Sequence, residues 1–143
     1  MCIGALTVPR RGRRGAPALF CVAIDWILRH MKCRPGIPFG RDLFTDLVYA
    51  DDTAFFVESP ASAATCISSF AETASVFGLQ VSWPKIKTQN LGSGPQPDTM
   101  SVNGNHVDAV PDFTYLGSSQ SPDGQSRLDI RRRIGLATAV MSS

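Results

Sequence analysis

Leu43-Phe44-Thr45-Asp46-Leu47-Val48-Tyr49, then Ala50-Asp51-Asp52, then Thr53-Ala54-Phe55-Phe56-Val57 is the stretch on which the fold turns. Both flanks are rich in β-branched and aromatic residues and predict extended strands, with the short polar segment between them as a turn. They read as a β-hairpin carrying two carboxylates at its tip. Adjacent side chains in a regular strand leave on opposite faces, so the local turn decides whether Asp51 and Asp52 reach a common site. Such a pair suits magnesium, a hard cation that takes carboxylate and phosphate oxygens and keeps some waters. Asp-Asp is also ordinary turn chemistry, because Asp caps its own backbone, and the pair alone does not choose between the two readings.

Downstream of the hairpin, Ser59-Pro60 gives an N-cap followed by a first-turn proline. Ala63, Cys66, Ile67, Phe70, Ala74 and Phe77 then recur at helical spacing up to a stop at Gly78. Short strands are expected over Leu79–Val81 and Lys85–Leu91, broken by Trp83-Pro84, and around Met100–Val102, Asn105–Val107 and Phe113–Leu116. Ser126 caps a final helix over Arg127–Met141, whose stripe is Ile130, Ile134, Ala137 and Met141 while its arginines face elsewhere. Upstream, Pro35-Gly36 and Pro38 make Lys32–Arg41 a loop. Before it Pro17 opens a helix over Ala18–Met31, with Leu19, Val22, Ala23, Trp26 and Ile27 as its apolar stripe. Met1–Gly15 shows no periodicity and is expected to be an irregular basic arm. The fold class is α+β: a small antiparallel sheet packed on two helices, followed by a basic helix.

The chain of 143 residues fits one domain with a modest core. At 43% apolar and 18% charged residues, neither a disordered chain nor a low-complexity linker is indicated. The formal charge is only +2, but Arg10, Arg11, Arg13 and Arg14 cluster near one end and Arg127, Arg131, Arg132 and Arg133 near the other. Guanidinium forks match phosphate oxygens, although a solvated face explains such clusters equally well. Cys2, Cys21, Cys33 and Cys66 are scattered with no CxxC pair, and the arginine-rich opening lacks the apolar stretch of a signal peptide. Reduced thiols and an intracellular location are expected. The longest apolar run, Ala18–Leu28, is interrupted by Asp25 and falls short of the ~20 residues that cross a bilayer.

Tyr49-Ala50-Asp51-Asp52, set between two apolar strands, resembles the YxDD box of reverse transcriptases. Other segments resemble that family in the order it requires. Ala16–Phe20 with Ile24–Arg29 is similar to the end of its nucleotide-binding box and the helix after it. Gly78-Leu79-Gln80-Val81-Ser82 with Lys85 and Lys87 is similar to its next motif, Phe113-Thr114-Tyr115-Leu116-Gly117-Ser118 to its primer-grip hairpin, and Ile130–Ile134 to the helix that follows. The likeness covers residues 16–141 and points to retrotransposons without long terminal repeats. It implies a partial polymerase palm with the start of a thumb over residues 16–143, after the arm at 1–15.

The resemblance also implies chemistry. Asp51 would be the main ligand, and Asp52 a supporting ligand, of two magnesium ions used in nucleotidyl transfer from a deoxynucleoside triphosphate to a DNA primer on an RNA template. Tyr49 and Ala50 would lie by the primer end, and Phe113, Tyr115, Leu116 and Gly117 would grip it. Lys85 would protonate the leaving pyrophosphate, unless it is a solvated surface lysine. Arg131, Arg132 and Arg133 would contact backbone phosphate, or else form a solvated helix face. The family's centre uses a third aspartate on a strand upstream of the nucleotide-binding box, and residues 1–15 contain no acid. The third ligand and the fingers subdomain are thus missing, and the isolated chain is expected to be inactive and to bind metal weakly. The alternative is a nonenzymatic nucleic-acid binder that uses the arginine clusters.

Overall fold

Ser59 folds the best-defined helix much as its sequence dictates: its Oγ accepts a hydrogen bond from Ser62 N, and Pro60 occupies the first turn where an amide hydrogen would be unpaired anyway. This computed structural model describes residues 2–7, 16–50, 52–92, 94–115, 118–120, 130 and 134, with backbone alone at 2–7, 16, 17, 39, 114, 115 and 118–120. The chain runs β1 (Cys2–Thr7), α1 (Ala16–His30), β2 (Ile37–Phe39), β3 (Asp42–Phe44), β4 (Asp46–Tyr49), β5 (Asp52–Phe55), α2 (Pro60–Ser75), β6 (Gln80–Val81), a 3-10 turn at Trp83–Lys85, β7 (Lys87–Thr88), β8 (Met100–Val102), β9 (Asn105–Ala109), β10 (Phe113–Tyr115) and β11 (Ser118–Gln120).

The main sheet has the order β4-β5-β1-β7-β9-β8, with β6 also paired to β1. Its pairings are antiparallel except β7 with β9, which run parallel. β2 with β3 and β10 with β11 form separate two-stranded hairpins. The α+β architecture read from the sequence is the one observed. Three expectations change in detail. The opening segment read as irregular forms β1, whose partners lie far along the chain and leave no local signature. The segment read as a loop contains β2, because Gly40, at φ +64°, turns the chain back and Pro38 tolerates a two-stranded edge. The single strand expected over Leu43–Tyr49 divides at Thr45, whose carbonyl accepts from Phe56 N at 2.9 Å and whose hydroxyl donates to Asp46 Oδ1 at 2.6 Å.

The helices pack on one face of the sheet. Ile24, Ile27 and Met31 of α1 and its C-terminal junction meet Ala63, Cys66, Ile67, Phe70 and Ala74 of α2, with Phe55, Ile86, Val102 and Val107 from the sheet side. The α2 stripe is the expected one, apart from Phe77, which is exposed. The α1 stripe is only partly so, since Ile27 is buried as expected. Leu19 and Val22 point to solvent, and beside Ile27 the core is met by Phe20, Ile24 and Met31. α1 is apolar nearly all round, so its spacing does not choose a face. α2 ends in a Schellman motif: Gly78, at φ +68°, donates to Ser75 O at 2.9 Å and Leu79 N donates to Ala74 O at 3.2 Å. Asn103 and Gly104, both with positive φ, close the β8–β9 hairpin as a primed turn.

Cys33 and Cys66 form a disulfide, which corrects the expectation of reduced thiols. The bridge joins the segment after α1 to the second turn of α2, a proximity that a sequence separation of 33 does not disclose. Among the described residues no helix is long and apolar enough to cross a membrane. The basic helix expected over Arg127–Met141 lies mostly outside the described residues; Ile130 and Ile134 are helical and exposed.

Away from the acidic hairpin, Lys87 Nζ donates to Asp108 Oδ2 across the parallel β7–β9 pair, and His106 Nε2 stands 3.2 Å from the other oxygen. The hydrogen bond from Lys87, then its charge, hold the Asp108 carboxyl below the ordinary carboxylate range. A depressed value in the folded state means that this contribution is present above the unfolded carboxylate's titration and is lost as pH falls through the lowered value. The Asp108→Asn variant is therefore expected to show a shallower loss of thermal stability on acidification below the ordinary carboxylate range. The effect is modest because the pair is partly solvated. Thermal scans of both proteins across that range check it, and superimposable acid limbs count against it.

Candidate active site

Tyr49 and Asp52 are register partners at the end of the β4–β5 ladder, above Val48 with Thr53, Leu47 with Ala54 and Asp46 with Phe55. The hairpin read from the sequence is thus present, with Asp52 as the first residue of β5. Asp51 lies outside the described residues. Ala50 adopts φ +53°, a left-handed conformation that costs an L-residue about 1–2 kcal/mol. Tight hairpins favour positive φ because it matches the strand twist, and a small side chain limits the cost. The Ala50→Gly variant is expected to be neutral to stabilising by up to about 1 kcal/mol in urea unfolding, since strain relief competes with a more flexible unfolded chain. A destabilisation beyond about 1 kcal/mol would show instead that the Ala50 methyl makes a contact worth more than the strain.

Alternation along β5 gives the hairpin two unlike faces. Phe55, 2% exposed, turns inward and meets the Phe70 ring edge-on at 5.2 Å between centroids, which anchors β5 to α2. Thr53 shares that face and is buried. Asp52 and Ala54 belong to the opposite face, the one turned away from the helices. Asp52 there is half-buried, whereas Tyr49 is 63% exposed and does not close the core.

β1 supplies the other neighbour of β5. In its register Ala5 pairs with Asp52, Gly4 with Thr53, Ile3 with Ala54 and Cys2 with Phe55. On its far edge β1 pairs at Leu6 and Thr7 with β6, and at Cys2 and Ile3 with β7. The 3-10 turn holding Lys85 connects those two pairings. It therefore spans the level of Gly4 and Ala5, the residues that face Thr53 and Asp52 on the near edge. Lys85 and Asp52 consequently lie on either side of β1. The Lys85 side chain is exposed. This juxtaposition was not legible in the sequence, because it depends on a strand whose partners are distant.

Other expected site residues are placed less completely. Phe113 and Tyr115 lie in β10, which pairs with β11 through Phe113 with Gln120 and Tyr115 with Ser118. Phe113 is half-buried. This hairpin is not hydrogen-bonded to the main sheet. Leu116, Gly117, Arg131, Arg132 and Arg133 lie outside the described residues. Among the described residues there is no group of three His, Cys, Asp or Glu side chains placed to hold a metal ion.

The chain matches the family described as Reverse transcriptase (RNA-dependent DNA polymerase) over residues 6–119, a span that contains the hairpin, both helices and the Lys85 turn. It belongs to the reverse transcriptase family. That match starts inside β1, upstream of the likeness first read at residue 16, and ends at the β10–β11 hairpin. A search of curated proteins finds no match. The family acts on RNA, DNA and deoxynucleoside triphosphates in general, and uses magnesium.

Proposed function

We propose that the chain is a palm segment of a reverse transcriptase of the retrotransposon type without long terminal repeats. Its Tyr49-Ala50-Asp51-Asp52 hairpin is its share of an RNA-directed DNA polymerase centre, and these 143 residues by themselves do not polymerise. The observation that carries the second part is the register of β1. The residue beside Asp52 is Ala5, and no residue of β1 bears a carboxylate.

Two magnesium ions need a ring of oxygen ligands and enough negative charge to offset theirs. The adjacent carboxylates of Asp51 and Asp52 supply part of one such set. The donor set does not fit a two-ion centre. What remains to the chain is positional: Tyr49 exposed at the hairpin end, and Lys85 in the turn on the far side of β1. The decisive assay is extension of a DNA primer on an RNA template with magnesium. No extension is expected, and extension that disappears on Asp51→Ala would refute the proposed inactivity.

A second reading, nucleic-acid binding without catalysis, draws on the arginine clusters and on Tyr49, 63% exposed at the hairpin end and able to stack on a base. On that reading salt-sensitive binding survives Asp51→Asn. Arg131→Ala weakens it and lowers the slope of log affinity against log salt by about 1. Absence of binding near physiological salt rejects it.

A further inference from the structure

The Cys33–Cys66 bridge is unlike a staple sealed in a core. Cys66 is fully buried, but Cys33 is only partly covered. Both line a cleft of about 470 Å³ together with Arg34, Glu58, Ser62 and Thr65. That volume is within the range of small-molecule pockets, and the cleft is lined by Cys33, the more exposed residue of the pair. The Cα atoms stand 5.3 Å apart, a separation that a disulfide spans without moving the backbone. The two sulfurs therefore remain adjacent when the bond is open, as reversible chemistry requires.

The position of the bridge gives it a lever. Residues 33 to 66 become a closed ring that contains β2, β3, β4, β5 and the start of α2, with Tyr49-Ala50-Asp51-Asp52 near its middle. Other ties hold the same junction to α2. Ser69 Oγ accepts from Lys32 N at 2.9 Å and from Cys33 N at 3.4 Å, and Lys32 Nζ reaches Glu72 at 3.4 Å. The lysine pair is exposed and weak, so the covalent tie is the strongest of the set.

We propose that Cys33 and Cys66 form a thiol–disulfide switch, which a small thiol entering the cleft opens at Cys33, and whose state sets how firmly the segment bearing the acidic hairpin is tethered to α2. The thiolate of the small molecule attacks the Cys33 sulfur, the S–S bond breaks, and Cys66 leaves with the electron pair and takes up a proton. A second small thiolate then attacks the mixed disulfide. Cys33 is released as a thiol, and the two small molecules are joined as their own disulfide. The protein gains two electrons and two protons, both electrons coming from the pair of small thiols.

Closing a ring of this length restricts the unfolded chain, so reduction is expected to lower the midpoint of thermal unfolding by roughly 10 °C. It is also expected to speed hydrogen exchange across residues 37–57 more than in β8 and β9. The test titrates the folded full chain in mixtures of reduced and oxidised glutathione, followed by an acid quench, denaturation and alkylation, with intact mass as the readout. Of the four cysteines, two fewer should be alkylated at the oxidised end than at the reduced end, with peptide mapping to Cys33 and Cys66. Hydrogen exchange over 37–57 should follow the same titration, and Cys33→Ser should abolish both responses. Alkylation of all four at the oxidised end, a bridge that resists millimolar reduced glutathione while the chain stays folded, or exchange over 37–57 that ignores the redox state would each overturn the proposal. The wild-type titration decides the matter even if the serine variant does not fold. Its outcome is independent of whether the chain polymerises.

Discussion

Ala5→Asp should raise the affinity of this chain for manganese or magnesium between tenfold and a hundredfold. Ala5 is the register partner of Asp52 on the neighbouring strand, and residues directly paired in antiparallel strands share one face of the sheet. On the proposed reading, in which Asp52 is a metal ligand, a carboxylate there would bring a full negative charge close to the cation. In a solvated setting a pair of unit charges 4 Å apart is worth about 1 kcal/mol, hence about 2 kcal/mol for a divalent ion, and about 1.4 kcal/mol is a factor of ten. The added acid also repels Asp52 when no metal is bound, so the apo variant should unfold at slightly lower urea. Isothermal titration with each ion measures the gain. Repeating it with Asp52→Asn added should remove most of the gain, which separates a shared site from a new isolated one. Equal affinities for Ala5→Asp and the parent would mean that β1 does not lie beside the hairpin in this register.

The second large effect is structural. Phe55→Ala is expected to cost about 3–5 kcal/mol, the range for truncating a well-packed buried phenylalanine. Phe55 is 2% exposed, meets Phe70 edge-on and joins the core shared by α1, α2 and the sheet. Stability of a domain this size is about 5–15 kcal/mol in total, so much of it would go. Val48 offers the comparison, being on the adjacent strand but 42% exposed, and Val48→Ala should stay within about 0.5 kcal/mol of the parent. Urea unfolding of the three proteins gives the contrast directly. A loss below about 1 kcal/mol for Phe55→Ala would show that β5 is not pinned to α2 through this ring. The consequence for the site is indirect, since Phe55 lies three residues after Asp52 and fixes the strand that carries it.

Which features were legible in the sequence follows from how local their causes are. Ser59-Pro60 caps α2 and Gly78 ends it through hydrogen bonds within a few residues, so both were readable. Asn103-Gly104 likewise closes its hairpin through backbone conformations that belong to those two residues. The Tyr49–Asp52 hairpin had two strong flanks and a short polar turn, and it formed where expected. The buried face of α1 was read only in part, at Ile27, because apolar residues surround that helix, and only the position of α2 and the sheet selects Ile24 and Met31 beside it. β1 was missed because Cys2–Thr7 has no local partner; its pairings reach to Asp52, Gln80 and Lys87. The same distance hid the level of Lys85 relative to Asp52. The disulfide was hidden for a related reason, since it records where two elements meet rather than any cysteine motif.

Because β1 separates β5 from β7, it is the one strand that holds the two halves of the main sheet together. During translation Cys2–Thr7 is made before every strand it will join, and its last partner, Thr88, follows much later. Until those strands are made, the backbone groups of the segment have no sheet partner. Such long-range docking is slow and leaves strand edges exposed to neighbouring chains in the meantime. Recombinant production should therefore benefit from low temperature and slow synthesis.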